Sequence, residues 1–177
     1  MRYFFVSDIH GQYDKLVLAL ANSGFNMDKD TIVSVGDPFD RGPDSKKVLE
    51  FLMSCPNRIL ILGNHDLRLK QVLARPELFD WYDISNGMPE TFKSFLGMNS
   101  TADMNYWECA DEVSNNALLW QYFRETVYYV EFKDLIAVHA WIPYKKVQGQ
   151  LKPFFSAFSA NDWREAMPFD WSDAVWA

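Results

Sequence analysis

Short apolar runs alternate with amphipathic stretches along the first half of the chain. The runs are rich in Val, Ile and Phe, which is typical of buried strands. The stretches between them are amphipathic and predict helices. Gly24 ends the first of these helices, and Pro56 prevents the second from continuing. Strands that alternate with helices at this spacing predict βαβ units and a mostly parallel sheet. The predicted strands cover 3–6, 31–35 and 58–62, and the predicted helices cover 13–23, 45–52 and 67–73, with Ser45 as an N-cap.

The pattern is weaker from Pro76 onward. Asn86-Gly87 predicts a turn, because these residue types tolerate left-handed backbone. Further along, we expect a short helix over 91–96, a helix running into a strand over 120–130, and a hairpin over 131–138. The segment after Pro143 is aromatic-rich and irregular, and it predicts no particular element.

Polar residues follow the apolar runs at the point where each strand should end. All three histidines of the protein lie at such positions, which is more regular than core histidines would be. In open parallel sheets, ligands bind at the carboxyl ends of the strands. The pattern therefore predicts one site, built by Asp8, His10, Asp37, Asp40, Arg41, Asn64, His65 and His139.

The first pair of this set is Asp8 and His10, two positions apart. If the segment is extended, both side chains point the same way and Ile9 points into the protein. A carboxylate and an imidazole on one side form half of a site for Mn, Fe or Zn. Taken alone, an Asp-x-His pair is a weak signal.

The segment from Gly36 to Gly42 is more specific, since it places two acids and an arginine in one glycine-bounded loop. Asp37 is nearest to the strand end and is the best candidate to bridge two metal ions. Arg41 offers planar, bidentate hydrogen bonding that suits phosphate oxygens. The alternative interpretation is an acidic turn with a salt bridge between Asp40 and Arg41.

The remaining candidates follow two apolar runs. Asn64 can ligate a metal through its amide oxygen, and His65 could be a ligand or an acid. A carboxylate such as Asp40, hydrogen-bonded to that imidazole, would raise its pKa and select its tautomer. His139 would more often be a core histidine, and only the other segments favour a ligand role.

Composition narrows the function classes. The 177 residues fit one domain, and 49% apolar content supports a sizeable core. A net charge of −7 argues against general nucleic-acid binding. Cys55 and Cys109 are too few for a disulfide framework and predict reduced thiols. The first apolar run is interrupted by Asp8, so we expect no signal peptide. No stretch approaches the ~20 apolar residues that span a bilayer, so we expect no membrane partner and a cytoplasmic protein.

The motifs D-x-H-G, G-D-x-x-D-R-G, G-N-H-D and V-H-A, in this order, resemble the calcineurin-like metallophosphoesterases. Within that family they look most like phosphoprotein phosphatases of bacterial and bacteriophage type. The resemblance runs from Met1 to about Pro143 and includes the Asn-Gly and downstream threonine within 85–95. It implies an α/β fold: an αββα sandwich of two mixed sheets flanked by helices.

The resemblance also implies roles and an activity. A hydroxide bridging two metals would attack a phosphate monoester, in a Ser/Thr-type or broad-specificity protein phosphatase. The expected metal is Mn²⁺, with Fe, Zn or Ni as alternatives. Alternative functions are hydrolysis of diadenosine polyphosphates or nucleotides, a weakly active truncated domain, a phosphodiesterase, or an idle binding module. The implied metal ligands are Asp8, His10, Asp37, Asn64 and His139, and the implied catalytic residues are His65, Asp40 and Arg41.

The chain departs from the family pattern after His139. The family supplies a further histidine ligand from a Gly-His strand and a second phosphate-binding arginine. This chain has no later histidine, and Arg164 is its only later arginine. We therefore expect 1–177 to be one domain lacking the C-terminal part of the family domain, through truncation, natural shortening or completion by a partner chain. An exposed sheet edge would then allow a homodimer.

Overall fold

The computed structural model describes residues 2–102, 104–139, 144–147 and 150–153. The chain divides into two compact units, Met1–His139 and Ala140–Ala177. In the second unit, the segments Tyr144–Val147 and Gln150–Pro153 pair as antiparallel strands. The expectation for Arg164 lies outside the described residues. The strands are β1 (Tyr3–Val6), β2 (Thr31–Val35), β3 (Arg58–Ile61), β4 (Tyr129–Glu131), β5 (Ile136–Val138), β6 (Tyr144–Val147) and β7 (Gln150–Pro153).

Seven α-helices lie within the described part of the first unit, together with a 3₁₀ turn at Pro76–Leu78. None of the helices in the described ranges is both long and apolar enough to cross a bilayer. Cys55 and Cys109 are free and buried. The helices are α1 (Tyr13–Asn22), α2 (Ser45–Ser54), α3 (Asn64–Ala74), α4 (Trp81–Ser85), α5 (Met88–Leu96), α6 (Tyr106–Ser114) and α7 (Ala117–Glu125).

The first unit is built on a parallel sheet in the order β1-β2-β3. Its central strand, β2, is buried along nearly its whole length because both of its faces are covered. The α/β class and the parallel sheet that the sequence predicts are therefore confirmed. The described strands of this sheet are all parallel, whereas the resemblance implied a mixed sheet.

The two faces of this sheet pack against different layers. On one face, the main core combines strand residues such as Ile32 and Leu60 with apolar side chains from the helices. On the other face, Val33 and Ile61 pack against Ala137 of the β4–β5 hairpin, which is the hairpin predicted over 131–138. This packing places the end of β5, and with it His139, beside the carboxyl ends of β2 and β3.

Several predicted boundaries need correction. Helix α3 begins at Asn64, three residues before the predicted start, because the Asp66 carboxylate accepts a hydrogen bond from the Gly63 backbone N–H and caps the first turn. Asp44, rather than Ser45, precedes α2 as its N-cap residue. Helix α5 begins at Met88 rather than 91, directly after the predicted turn at Gly87.

Helices α4 and α6 were not predicted from the sequence. Both are short, and neither shows a clean apolar repeat. The residue before each helix, however, is of a type that favours a helix start. Asp80 accepts a hydrogen bond from the Tyr82 backbone N–H, and Asn105 accepts one from Glu108. Such caps stabilise a helix start by about 1 kcal/mol.

Candidate active site

The eight predicted site residues lie on the loops that follow β1 and β2, at the start of α3 after β3, and just after β5. Five of them have left-handed backbone, which non-glycine residues rarely adopt. The loops after β1 and β2 hold each other in this conformation: the His10 N–H donates to the Asp37 carbonyl at 3.0 Å, and the Gly11 N–H donates to Pro38 at 2.8 Å. The left-handed residues are Asp8, His10, Asp37, Asp40 and Arg41, with φ between 46° and 69°.

One part of the sequence reasoning about this loop was wrong. Strand β1 ends at Val6, so Asp8 and His10 do not lie on an extended segment. Ile9 is nevertheless buried, and the Nε2 atom of His10 lies 4.0 Å from an Asp8 oxygen. The two side chains meet because the left-handed backbone turns them together, and not because of strand alternation.

Asp37 occupies the centre of the site. Two groups of potential ligand atoms include it: one with His10 and His65, and one with Asp8 and His139. Within each group, all the atoms lie within 4.8 Å of one another. A carboxylate shared by two groups is the arrangement expected of a side chain that bridges two metal ions.

Two of the imidazoles have their tautomers selected by backbone carbonyls. The Nδ1 atom of His10 lies 2.7 Å from the Phe39 oxygen, and that of His139 lies 2.8 Å from the Val35 oxygen. A carbonyl can only accept a hydrogen bond, so Nδ1 carries the proton in both rings. Their Nε2 lone pairs are therefore available to a metal ion, with the ring orientation already set.

The surroundings of His139 test whether these residues suit a cation. Its Nε2 atom faces Asn64 Oδ1 at 3.0 Å and Asp37 Oδ2 at 3.3 Å. Burial lowers the pKa of His139, but the hydrogen bond and charge of Asp37 outweigh it and raise the pKa to about 9. Three electron-pair donors that face one another need a proton or a metal ion between them. The mixed nitrogen and oxygen donor set fits a divalent transition metal.

His65 is held by a second buried carboxylate. Its Nδ1 atom lies 2.7 Å from Asp40 Oδ2. Burial lowers the pKa of His65, but the hydrogen bond and charge of Asp40 outweigh it, so the pKa is raised. The alternative of an Asp40–Arg41 salt bridge in an acidic turn is therefore not what the structure contains. Asp40 is oriented toward the imidazole instead.

Thr91 anchors Asp40 from the first turn of α5. Its hydroxyl accepts a hydrogen bond from the Asp40 backbone N–H and donates one to Asp40 Oδ1, both at 2.8 Å. The threonine belonged to the sequence resemblance, but no role was predicted for it. The Asn-Gly turn just before α5 was the sequence feature that could have indicated this role, because it starts the helix that brings the threonine to Asp40.

Arg41 lies at the accessible side of the site. Its guanidinium donates to His10 Nε2 at 2.9 Å and lies 3.1 Å from His65 Nε2, and the residue is exposed. It can therefore meet an incoming anion next to both imidazoles. The eight predicted residues thus form one connected group, although their roles stay predictions.

Asp66 is a site residue whose role was not predicted, although it belongs to the G-N-H-D motif. Its Oδ2 atom accepts hydrogen bonds from the backbone N–H of Gly63 (2.8 Å) and Asp37 (3.2 Å) and from the Tyr122 hydroxyl (3.2 Å). Burial, together with the charge of Asp37, raises the pKa of Asp66 to about 7. The Tyr122 contact comes from a distant helix, so no local sequence signal could reveal it.

Gly63 shows why the motif needs a glycine. A Cβ atom added there would collide with the Asp37 side chain and its backbone nitrogen. The absence of a side chain therefore allows β3 to deliver Asn64 and His65 directly beside Asp37.

Comparison with known proteins gives one family. The family model of calcineurin-like phosphoesterases matches residues 1–171.

Several curated relatives carry the name symmetrical bis(5'-nucleosyl)-tetraphosphatase. That of Buchnera aphidicola subsp. Schizaphis graminum (strain Sg) is 51% identical over 108 residues, which cover 60% of this chain and 37% of the relative. That of Buchnera aphidicola subsp. Acyrthosiphon pisum (strain 5A) is 36% identical over the same length and coverage. That of Salmonella newport (strain SL254) is 43% identical over 75 residues, covering 42% of this chain and 27% of the relative. The matched segment thus spans little more than a third of the length of the two Buchnera relatives.

Solved structures share the fold. A protein assigned as a diadenosine tetraphosphatase superposes with a TM-score of 0.55 at 21% identity, covering 85% of this chain and 55% of that one. A cold-active protein-tyrosine phosphatase of a psychrophilic Shewanella superposes with a TM-score of 0.50 at 22% identity, covering 80% and 42%. At these identities the similarity concerns the fold alone.

Proposed function

The chain belongs to the calcineurin-like phosphoesterase family, and from this premise we propose that it hydrolyses the phosphate chain of dinucleoside polyphosphates with divalent metal ions. The observation that carries the hydrolytic part is the convergence of two groups of ligand atoms on Asp37. The substrate part is supported by relatives named as tetraphosphatases, one of them 51% identical. With two nucleosides on four phosphates, symmetrical cleavage by one water yields two nucleoside diphosphates.

The comparisons favour this alternative over the Ser/Thr protein phosphatase that the sequence resemblance suggested. None of the curated relatives described above carries a protein phosphatase name. The phosphoprotein substrate, the bacteriophage origin and the homodimer likewise have no support from them. Mn²⁺ stays the first metal to test, because the imidazole, carboxylate and amide donors are compatible with it.

Two sets of side chains would hold the metal ions, and they share Asp37. The family resemblance adds Asp8 and His10 to one set and Asn64 and His139 to the other. The geometric groups around Asp37 divide these residues differently, since they pair His10 with His65 and Asp8 with His139. When bound, such ions supply Lewis-acid activation of water and of the phosphoryl oxygen. The Nδ1–H hydrogen bonds of His10 and His139 orient both rings before any ion arrives.

His65 and Arg41 would act on the substrate itself. Because Asp40 raises its pKa, the His65 ring can carry a proton on Nε2 and give it to the leaving phosphate oxygen. Arg41 lies beside that nitrogen and can direct two N–H groups at the phosphoryl oxygens. Charge that develops on those oxygens would then meet fixed donors.

Substrate comparison tests the proposal. We expect the full chain with Mn²⁺ to convert a dinucleoside tetraphosphate into nucleoside diphosphates, and to release phosphate from a phosphopeptide much more slowly. Chromatography of the nucleotides and a phosphate assay measure the two activities. Preference for the phosphopeptide would contradict the proposed substrate.

Two variants test the assigned residues. Asp37→Asn should lose Mn²⁺, as measured by electron paramagnetic resonance of the free ion. His65→Asn should keep the metal but slow turnover by about 10²–10⁴-fold, the usual contribution of an acid–base residue. Parent-like turnover in both variants would refute this site.

A further inference from the structure

Helix α4 exposes large apolar side chains next to the site. Trp81 is 77% exposed and Tyr82 is 54% exposed, with Ile84 beside them at 42%. These are three of the five residues of the helix. Exposed apolar residues scattered singly need no explanation, but a contiguous group marks an interaction surface. The mechanism above gives this group no role.

One side of α4 is anchored to α3, the helix that carries Asn64 and His65. The Arg68 guanidinium binds the buried Asp83 carboxylate through two hydrogen bonds of 2.6 and 2.7 Å. Arg68 lies one helical turn after the two site residues, so it shares their face of α3. Arg68 therefore links α4 to the face of α3 that carries the two site residues.

The other end of α4 is tied to Arg41. The Gly87 carbonyl accepts a hydrogen bond from the Arg41 backbone N–H at 3.1 Å. A Cβ atom added to Gly87 would lie 2.6 Å from that nitrogen, so the two backbones are in contact. One helical turn and two residues separate Trp81 from Gly87, which limits their Cα separation to about 14 Å.

The direction of the side chains follows from helix geometry. Residues two apart on a helix point in nearly opposite directions, since each step turns the chain by about 100°. Asp83 points toward Arg68, so Trp81 points away from α3 and leaves its indole ring free. The Asp80 side chain caps the helix start through the Tyr82 N–H, which limits movement of the pair.

We propose that Trp81 and Tyr82 form a stacking platform for a nucleobase of the substrate, on the Arg41 side of the site. This inference rests on the proposed function, because only a substrate with a nucleoside has a base to stack. A phosphate chain that reaches Arg41 brings a nucleoside within reach of α4, because Arg41 contacts Gly87 just beyond the end of that helix. Every base has an aromatic face, so the platform would contribute affinity without selecting the base.

Removing the aromatic rings tests the platform. We expect Trp81→Ala to raise KM for a dinucleoside tetraphosphate by about 5- to 150-fold, the range that corresponds to the free energy of stacking one base. The kcat for this substrate, and both constants for inorganic tetraphosphate, should stay near the parent values because inorganic tetraphosphate has no base. Trp81→Phe should keep KM near the parent value, because it keeps an aromatic ring. Tyr82→Ala should raise KM by less than Trp81→Ala does.

A matched control and a binding measurement separate the possible outcomes. Trp107, on α6, is 61% exposed, and Trp107→Ala should leave KM unchanged. Calorimetry with a nucleoside diphosphate should show the same loss of affinity in Trp81→Ala, whether or not the chain turns over. Equal affinity and KM in parent and Trp81→Ala would overturn the platform while leaving the proposed function standing. Absence of dinucleotide turnover in the parent would refute the function, and the calorimetry would still decide the platform.

Discussion

Replacing Thr91 with valine removes one hydroxyl, which makes two hydrogen bonds with Asp40 and one contact of 3.2 Å with the buried Ser45 hydroxyl. Valine has nearly the same shape, and Thr91 is fully buried, so packing against the core is kept. Two interactions with Asp40 disappear: the backbone N–H loses its acceptor, and Oδ1 loses a donor. Thr91→Val therefore tests whether α5 positions the carboxylate that holds His65.

The magnitude follows from those two lost hydrogen bonds. A buried peptide N–H without an acceptor costs about 1–3 kcal/mol, and a hydrogen bond to a charged group contributes about 1.5–3 kcal/mol. Together they predict a decrease of about 2.5–6 kcal/mol in the free energy of unfolding. Thr91→Ser keeps the hydroxyl and loses one methyl group, so it should cost only about 1 kcal/mol.

Urea denaturation of the two variants measures this difference. If Asp40 moves, the His65 ring moves with it, and kcat should fall by about 10- to 100-fold in Thr91→Val. The affinity for Mn²⁺ should change little, because Thr91 does not contact the predicted ligands. The reasoning is wrong if Thr91→Val and Thr91→Ser are equally stable and equally active.

Three further predictions concern other parts of the site. Asp66→Ala leaves two buried N–H groups without acceptors and should destabilise the fold by about 2–6 kcal/mol, whereas Asp66→Asn, which keeps an acceptor oxygen, should cost clearly less in urea denaturation. Equal losses would contradict this reading. Gly87→Ala should cost about 1–2 kcal/mol and raise KM, because the residue has φ +84° and a methyl group would displace Arg41. A parent-like KM would exclude that displacement. Chelation should lower the melting temperature: Mn²⁺ at 100 times its Kd stabilises by about 2.7 kcal/mol. Asp37→Asn should be insensitive to the chelator, and sensitivity equal to the parent's would mean that the ion binds elsewhere.

Most of the sheet, and the convergence of the eight candidate residues at its edge, could be predicted from the sequence. Apolar runs locate β1, β2 and β3, because a central parallel strand must be apolar on both faces. Ligands bind at the carboxyl ends of such strands, so the polar residues after them could be grouped without coordinates. Helices α4 and α6 could not be found in this way, because packing stabilises them and their own apolar periodicity is weak.

The order of residues along the chain determined which side chains reach the sheet edge, since that depends only on where each strand stops. Tertiary packing alone decided which atoms meet there. Thr91 reaches Asp40 across 51 positions, and Tyr122 reaches Asp66 across 56. Contacts over such separations depend on how helices dock on the sheet, and no local pattern encodes that docking. Tertiary contacts also bring Asp8 and His10 together. The loop after β2 holds the loop after β1 in left-handed backbone, which the local sequence does not predict.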